Sequence, residues 1–420
     1  MPLNNAQHPL NQKTCNRSLD SWKFLRFKEI ADLGKERISP QNIAPGLACI
    51  ELENISKETG QMIGITDPSK QSSQKNVFYK GNVLFGKLRP YLKKFLFCEF
   101  DGVCSSEIWV LSSKNGCQSK YLFYLIQTSQ FIRVADQSSG TKMPRADWTN
   151  ASKLVVPIPP IPEQAKMTEI LSTWDRAIER VQRLIEAKQR QKKGMMQGLL
   201  TGRLRFLEFG ESINTSNVFP TDWEVMKLKQ VFSQIDRPLG GHVPESVLSI
   251  SAKIGFVDQK IKFGKVVAGK SLEKYILLQR GEFAYNRGNS NAYPQGCIYM
   301  LTEYDEGAIP NVYYAFRIKS GNIFPQFYQY YFESGLLNPQ LKMFISSSAR
   351  GDGLFNISSN DFFGIRIVVP PFEEQKKVAG VLGGMDEQIG LLKKYLERLK
   401  QQKKGLMKKL LTGEIRVKVD

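Results

Sequence analysis

Two stretches of this chain are copies of one another. PPIPEQAKMTEILSTWDRAIERVQRLIEAKQRQKKGMMQGLLTGRLRF, from Pro159, aligns without a gap with PPFEEQKKVAGVLGGMDEQIGLLKKYLERLKQQKKGLMKKLLTGEIRV, from Pro370, at an offset of 211. Pro160 falls on Pro371, Gln164 on Gln375, Asp175 on Asp386 and Gly202 on Gly413. A repeat of this length obliges the chain to build one unit twice. The stretches ahead of the copies correspond too. WKFLRFKEI from Trp22 matches WEVMKLKQV from Trp223 at an offset of 201, and GNVLFGKLR from Gly81 lies opposite GEFAYNRGN from Gly281 at 200. Insertions of about ten residues therefore fall inside the leading stretches, as loop variation should.

A double proline cannot sit in a helix interior, so each PP pair marks a boundary between elements. Beyond the first, Met167, Leu171, Trp174, Ile178, Val181, Ile185, Lys188, Lys192, Met195 and Leu199 step by four and three residues in turn. The second copy places Val378, Leu382, Met385, Ile389, Leu392, Leu396, Leu399, Lys403, Leu406 and Leu410 at the same positions. This is a heptad seam. The spacing predicts a helix from Glu163 to about Leu200, roughly 57 Å long, and its duplicate. Each ends in LLTG, where threonine and glycine stop a helix as a C-cap does. Neither helix has apolar residues to spare for a second core face. The two are therefore expected to pair as an antiparallel intramolecular coiled coil. Leu171, Trp174, Ile178, Val181 and Ile185 of one copy and Leu382, Met385, Ile389, Leu392 and Leu396 of the other would form a spacer. Six basic and no acidic residues lie between Ala187 and Arg205, and again between Arg398 and Lys409. Helix C-termini favour cations in themselves, and nearby phosphates or a partner subunit would favour them too.

The regions ahead of the helices carry short apolar runs rich in Val, Ile, Phe and Tyr. NVLFGKL, EIWVLSS, CIYMLTE and YYAFRIKS read as strands, YLFYLIQTSQFIRV and FYQYYFESGLL as helices. The expected architecture is two mixed α/β (α+β) domains alternating with two long helices, related by a pseudo-twofold repeat. The expected segments are a flexible tail over 1–19, a domain over 20–158, a helix over 159–206, a second domain over 221–369 and a second helix over 370–417.

Charge narrows the function. The net charge of +19, from 59 Lys and Arg against 40 Asp and Glu, makes a polyanion the first partner to consider, and nucleic acid fits best. No apolar run approaches the roughly 20 residues that span a bilayer, and the polar opening has no signal-peptide core, so a cytoplasmic protein is expected. Six cysteines without a C-x-x-C pair, and two histidines, argue against a metal centre and against hydrolytic triads. The cysteines are expected to be reduced, buried and structural.

In each half a strand carries cations or amides into a polar turn, and another polar stretch precedes the double proline. These are the residue types that bond phosphates and base edges. The DNA-contacting candidates are Lys87, Arg89, Lys93, Thr141, Lys142 and Arg145 in the first half, with Arg287, Asn289, Ser290, Asn291 and Arg350 in the second. One competing motif is GKVVAGKS, Gly264 to Ser271, which fits the phosphate-loop pattern of a nucleotide hydrolase using Lys270 and Ser271. Its context opposes that reading. The preceding DQKIKF is charged and short where a buried strand is required, and the first copy reads GITDPSKQ instead. NPQL at Asn338 lacks the second proline and the aromatic of a catalytic adenine-methylation signature. A coiled-coil scaffold with protein-binding ends is the other alternative.

The twice-repeated P-P-x-x-E-Q opening, the QKKG and LLTG helix endings and the G-x-x-x-x-x-K/R strands at Gly81 and Gly281 resemble the specificity subunits of type I restriction-modification systems. The likeness spans nearly the whole chain, from DSWKFLRFKEI to LLTGEIRV. It implies two target-recognition domains, each reading one part of a split DNA sequence. It implies helices that hold the readers apart and dock two modification (methyltransferase) subunits. Those subunits would supply S-adenosylmethionine, and a restriction subunit would bring ATP and Mg, so this chain itself would bind no cofactor or metal and catalyse nothing. Related modification systems use similar recognition chains. The sequence departs from the family pattern at Met385, which stands where the first copy has Trp174, and in SARGDG, which does not repeat SGTKMP.

Overall fold

The computed structural model describes residues 19–68, 71–137, 143–212, 219–251, 254–267, 269–288, 293–319, 321–344 and 357–419. The tail expected over 1–19 lies outside them up to residue 18. Two compact units result, one formed by 1–182 with 394–420 and the other by 183–393. These units cut across the sequence segments. Each takes in one globular half, the leading part of one long helix or its repeat, and the trailing part of the other. The reason is that a seam of this length buries its apolar edge only against a second helix, and the second helix comes from the other copy.

In the first unit an antiparallel sheet runs in the order Ala31–Leu33, Ile108–Ser113, Val83–Gly86, Phe95–Phe97. Val83–Gly86 is paired on both edges and buried along its length, which is why it reads as an apolar run with no alternation. A second sheet orders Arg37–Ile38, Lys75–Phe78, Gly102–Ser105 and Ala48–Ile50, the last two parallel. Helices Ser119–Leu125 and Ser129–Ala135 pack their Tyr121, Leu122 and Phe131 with Phe27, Val83 and Phe85. The same cluster takes in Met167 and Leu171 of the first long helix and Leu410 of the second.

The second unit repeats the first sheet as Phe232–Gln234, Tyr314–Ile318, Phe283–Asn286 and Cys297–Met300. The counterpart of the second sheet is the antiparallel pair Ile276–Gln279 with Glu306–Ile309, extended by bridges from Pro238 to Ile276 and, parallel, from Val247 to Ala308, beside the antiparallel pair Leu248–Ser251 with Gly255–Asp258. Phe232, Phe283, Phe316 and Phe332 form an aromatic core with ring centroids 5.3–5.9 Å apart. Met196, Leu199, Val378 and Leu382 of the long helices join it. All six apolar runs quoted from the sequence form the expected elements.

The first strand of each half pairs antiparallel with its last, Lys23–Arg26 with Val155–Ile158 and Glu224–Lys227 with Arg366–Val369. The last strand then leads through the double proline into a long helix. These helices are Ile161–Leu199 and Phe372–Leu411, each about 60 Å long at 1.5 Å per residue. In the first unit Glu163 meets Arg416 and Asp175 meets Lys403, so one partner number falls as the other rises. Lys192 with Asp386 and Arg205 with Glu374 run the same way in the second. The pairing is antiparallel. Leu171, Ile178, Ile185, Leu382, Ile389 and Leu396 are buried in the seam, while Trp174, Val181, Met385 and Leu392 are half-buried at its margins.

The repeated motifs turn out to be joints. Gln164 accepts from the Gln118 amide at 2.8 Å and donates to the Gly116 and Pro159 carbonyls, each at 2.8 Å. Gln375 makes the same set with Phe324, Asn322 and Pro370. Glu163 accepts from the Trp22 indole at 3.2 Å and from Arg416, whose guanidinium lies over that ring. Glu374 accepts from the Trp223 indole at 3.0 Å and from Arg205 at 2.9 and 2.7 Å. In LLTG the glycine adopts a left-handed backbone, φ 73° at Gly202 and 74° at Gly413, and the threonine hydroxyl donates back to a carbonyl of the last turn.

Candidate nucleic-acid interface

The turn after Val83–Gly86 is tightly drawn. Arg89 and Lys93 flank a single turn of 3₁₀ helix, Pro90–Leu92, and both have left-handed backbones, φ 54° and 49°. Such conformations are costly for residues with a side chain and persist only where neighbours hold them. Here the Arg89 amide donates to the Pro144 carbonyl at 2.8 Å, and the Glu58 amide donates to the Lys93 carbonyl at 3.0 Å. The Ala146 amide donates to the Lys87 carbonyl at 2.7 Å, and Leu88 bridges Arg145. The two polar stretches of the first half, more than fifty residues apart in sequence, are thus stitched side by side.

The second half makes the equivalent junction. Arg287 occupies the position that Lys87 holds in the first copy. Its guanidinium donates to the Val312 carbonyl at 3.0 and 3.1 Å and lies 4.6 Å from the centre of the Tyr314 ring. The Tyr314 hydroxyl donates in turn to the Ile357 carbonyl at 2.7 Å, which ties the cationic turn to the polar stretch before the second double proline.

The candidates differ in their surroundings. Among the described residues Lys87, half-buried, and Arg89, exposed, take part in no ion pair. Arg145 is ion-paired with Glu107 at 3.0 Å, and its side chain remains 52% exposed. Lys93 is bound to Glu58 at 2.5 Å. That hydrogen bond holds the Glu58 carboxyl below its ordinary range. Thr141, Lys142, Asn289, Ser290, Asn291 and Arg350 lie outside the described residues.

A cavity of about 340 Å³ lies in the first unit beside Lys57, Lys93, Lys400 and Lys404. Glu58, Glu397 and Asp175 on its wall already pair with Lys93, Lys400 and Lys403, so most of its positive charge is satisfied within the chain. The GKVVAGKS stretch does not form a phosphate loop. A helix, Gln259–Phe263, precedes it where a strand is needed, Gly264 caps that helix, and a 3₁₀ turn, Gly269–Lys274, follows. The side chains of Lys270 and Ser271 lie outside what is described.

Sequence reasoning passed over Tyr124 and Tyr330, whose hydroxyls donate to Asp175 at 2.7 Å and to Asp386 at 2.9 Å. Lysines interrupting an otherwise apolar seam, with an aspartate repeated at the same offset, were the available signal. Cys49, Cys98, Cys104, Cys117 and Cys297 are free and buried, as expected of structural thiols. Among the described residues no group of three or more His, Cys, Asp or Glu is placed to hold a metal, and no helix is long and apolar enough to cross a membrane.

Residues 20–189 match the family model described as type I restriction modification DNA specificity domain. The type I restriction enzyme MjaVIII specificity subunit of Methanocaldococcus jannaschii is 30% identical over 337 residues, which cover 77% of this chain and 76% of that one. The type I restriction enzyme EcoDI specificity subunit of Escherichia coli is 31% identical over 148 residues, 34% of this chain and 33% of that one. Two solved structures share the fold. The first, from work on complex assembly and conformational transition of the type I R-M system, has a TM-score of 0.55 at 18% identity and covers 94% of this chain and 98% of that one. The second, the type I restriction-modification system S subunit from M. genitalium, has a TM-score of 0.52 at 16% identity and covers 96% and 98%.

Proposed function

The chain belongs to the specificity subunits of type I restriction-modification systems, and from that premise we propose that its two globular halves each read one part of a bipartite target in double-stranded DNA. One observation carries this reading. In both halves the fold brings the cationic turn after the central strand against the polar stretch before the double proline, around Lys87, Arg89 and Arg145 in one and Arg287 in the other. Such clusters suit phosphates and base edges, and two of them on one chain suit two separated half-sites.

The paired helices act as the spacer between readers and as the dock for two modification subunits. Methyl transfer from S-adenosylmethionine then takes place on those subunits, and cleavage with ATP and Mg on restriction subunits, while this chain selects the sequence in the cytoplasm and catalyses nothing. The test is a genome-wide map of methylated adenine with and without the gene. Loss of one bipartite motif on deletion is expected, and an unchanged map refutes the reading. Exchanging residues 221–369 for the corresponding domain of a relative should alter one half-site alone. A change in both would show that the halves do not read independently.

A further inference from the structure

Of the three lysines at seam positions, Lys188, Lys192 and Lys403, the last two are buried, and each of these is held by the same three-part cluster. In the first unit the Lys403 ammonium donates to one Asp175 oxygen at 2.5 Å and lies 5.3 Å from the centre of the Tyr124 ring, while the Tyr124 hydroxyl donates to the other Asp175 oxygen at 2.7 Å. In the second unit Lys192 meets Asp386 at 2.8 Å and the Tyr330 ring at 4.9 Å, and Tyr330 donates to Asp386 at 2.9 Å. Lys192 also reaches Glu333 at 3.3 Å. In each cluster one group comes from each long helix, and the tyrosine comes from the helix of a globular half that packs on them.

We infer that these clusters are the positioning residues that fix the register of the helix pair and seat each reading domain on it, and so set the length of the unread DNA between the half-sites. This rests on the proposed function above.

The physical argument begins with degeneracy. A seam of Leu, Ile, Val and Met meets much the same surface after a slip of one heptad, so apolar packing selects the register weakly, whereas one polar group in the seam selects it strongly. Seven residues either way from Asp175 stand Thr168 and Gln182, and seven either way from Asp386 stand Ala379 and Lys393. No slipped register offers either lysine a carboxylate at the seam. The end joints of Arg205 and Arg416 lie past the helix ends, on segments that turn at Gly202 and Gly413, and hold Glu374 and Glu163 from outside the seam. A heptad slip moves one helix about 10 Å along the other, or about three base-pair steps of 3.4 Å. The clusters thus convert a side-chain contact into a count of bases.

The experiment selects DNA from a random library with the full chain assembled with its modification subunits, and reads half-sites and spacer lengths by sequencing. The wild type should give one spacer length. The double variant Lys192→Met, Lys403→Met keeps the seam apolar and should retain both half-sites while adding spacers about three base pairs longer or shorter, at tenfold or more above the wild-type background. Lys192→Arg with Lys403→Arg should restore the single spacer. Should the methionine variant not fold, Tyr124→Phe with Tyr330→Phe removes only the hydroxyl bonds and should broaden the distribution to a lesser degree. A single unchanged spacer in every folded variant overturns the inference, since loss of stability alone lowers recovery at all spacers equally. A wild-type chain that selects no bipartite sequence overturns the proposed function instead, and this inference with it.

Discussion

Replacing Arg205 by methionine tests how the second unit is held together. The Arg205 side chain is 4% exposed and bonds Glu374, itself 1% exposed, through two nitrogens at 2.9 and 2.7 Å. It also bonds Asp222 at 3.1 and 2.7 Å and covers the Trp223 ring. Methionine keeps much of the apolar contact with the indole and removes every charged bond. Glu374 is then left as a buried carboxylate with only the Trp223 indole at 3.0 Å. Breaking one side of a buried pair costs about 3–5 kcal/mol. The retained indole bond, and the route to solvent beside the half-exposed Asp222, place the cost near the lower end, about 3 kcal/mol. For a unit of roughly 200 residues this lowers Tm by about 6–12 °C. Glu374→Gln should cost less, because Arg205 keeps Asp222. The double variant should be more stable than the two single losses added together, because the stranded charge is gone. Calorimetry on the full chain measures this, and hydrogen exchange locates the weakened unit. A Tm change under about 2 °C for Arg205→Met, or strict additivity in the cycle, would show that the joint is not a buried ion pair of this kind.

Gly202→Ala should lower stability by about 1–2 kcal/mol in a denaturant melt, because φ is 73° and an added Cβ would stand 2.5 Å from Pro220 Cδ. In DNA-binding titrations against salt, Lys87→Ala and Arg287→Ala should each weaken binding and reduce the slope of log K against log salt by about one, whereas Glu107→Gln, which releases Arg145, should strengthen binding. Burial pushes the thiols of Cys49 and Cys297 up to about 11 and those of Cys98 and Cys117 up to about 12, so none of the four should react with iodoacetamide at pH 8 before unfolding. With folded values above the ordinary 9.0, the unfolded chain loses these protons first. Stability should therefore be fully present below pH 9 and fall as pH rises through 11 to 12, as measured by denaturant midpoints.

The sequence by itself determined the layout: two copies, two long helices, their LLTG ends and two strands of the first sheet in each half. Helical and strand periodicities, cap residues and repeat register are local, and neighbours three, four or two positions apart carry them. It also placed the cationic turns, since residue type and a shared offset suffice for that. The tertiary structure alone decided which charges are already satisfied. Arg145 and Lys93 face Glu107 and Glu58, Arg205 is enclosed by Glu374, and Lys192 and Lys403, which looked like flaws in an apolar seam, are buried and paired with the more exposed Asp386 and Asp175. Lys403 and Asp175 lie 228 residues apart, and no periodicity spans that distance. Only the antiparallel pairing of the copies brings them within a hydrogen bond, and a buried charge is stable only where such a partner arrives.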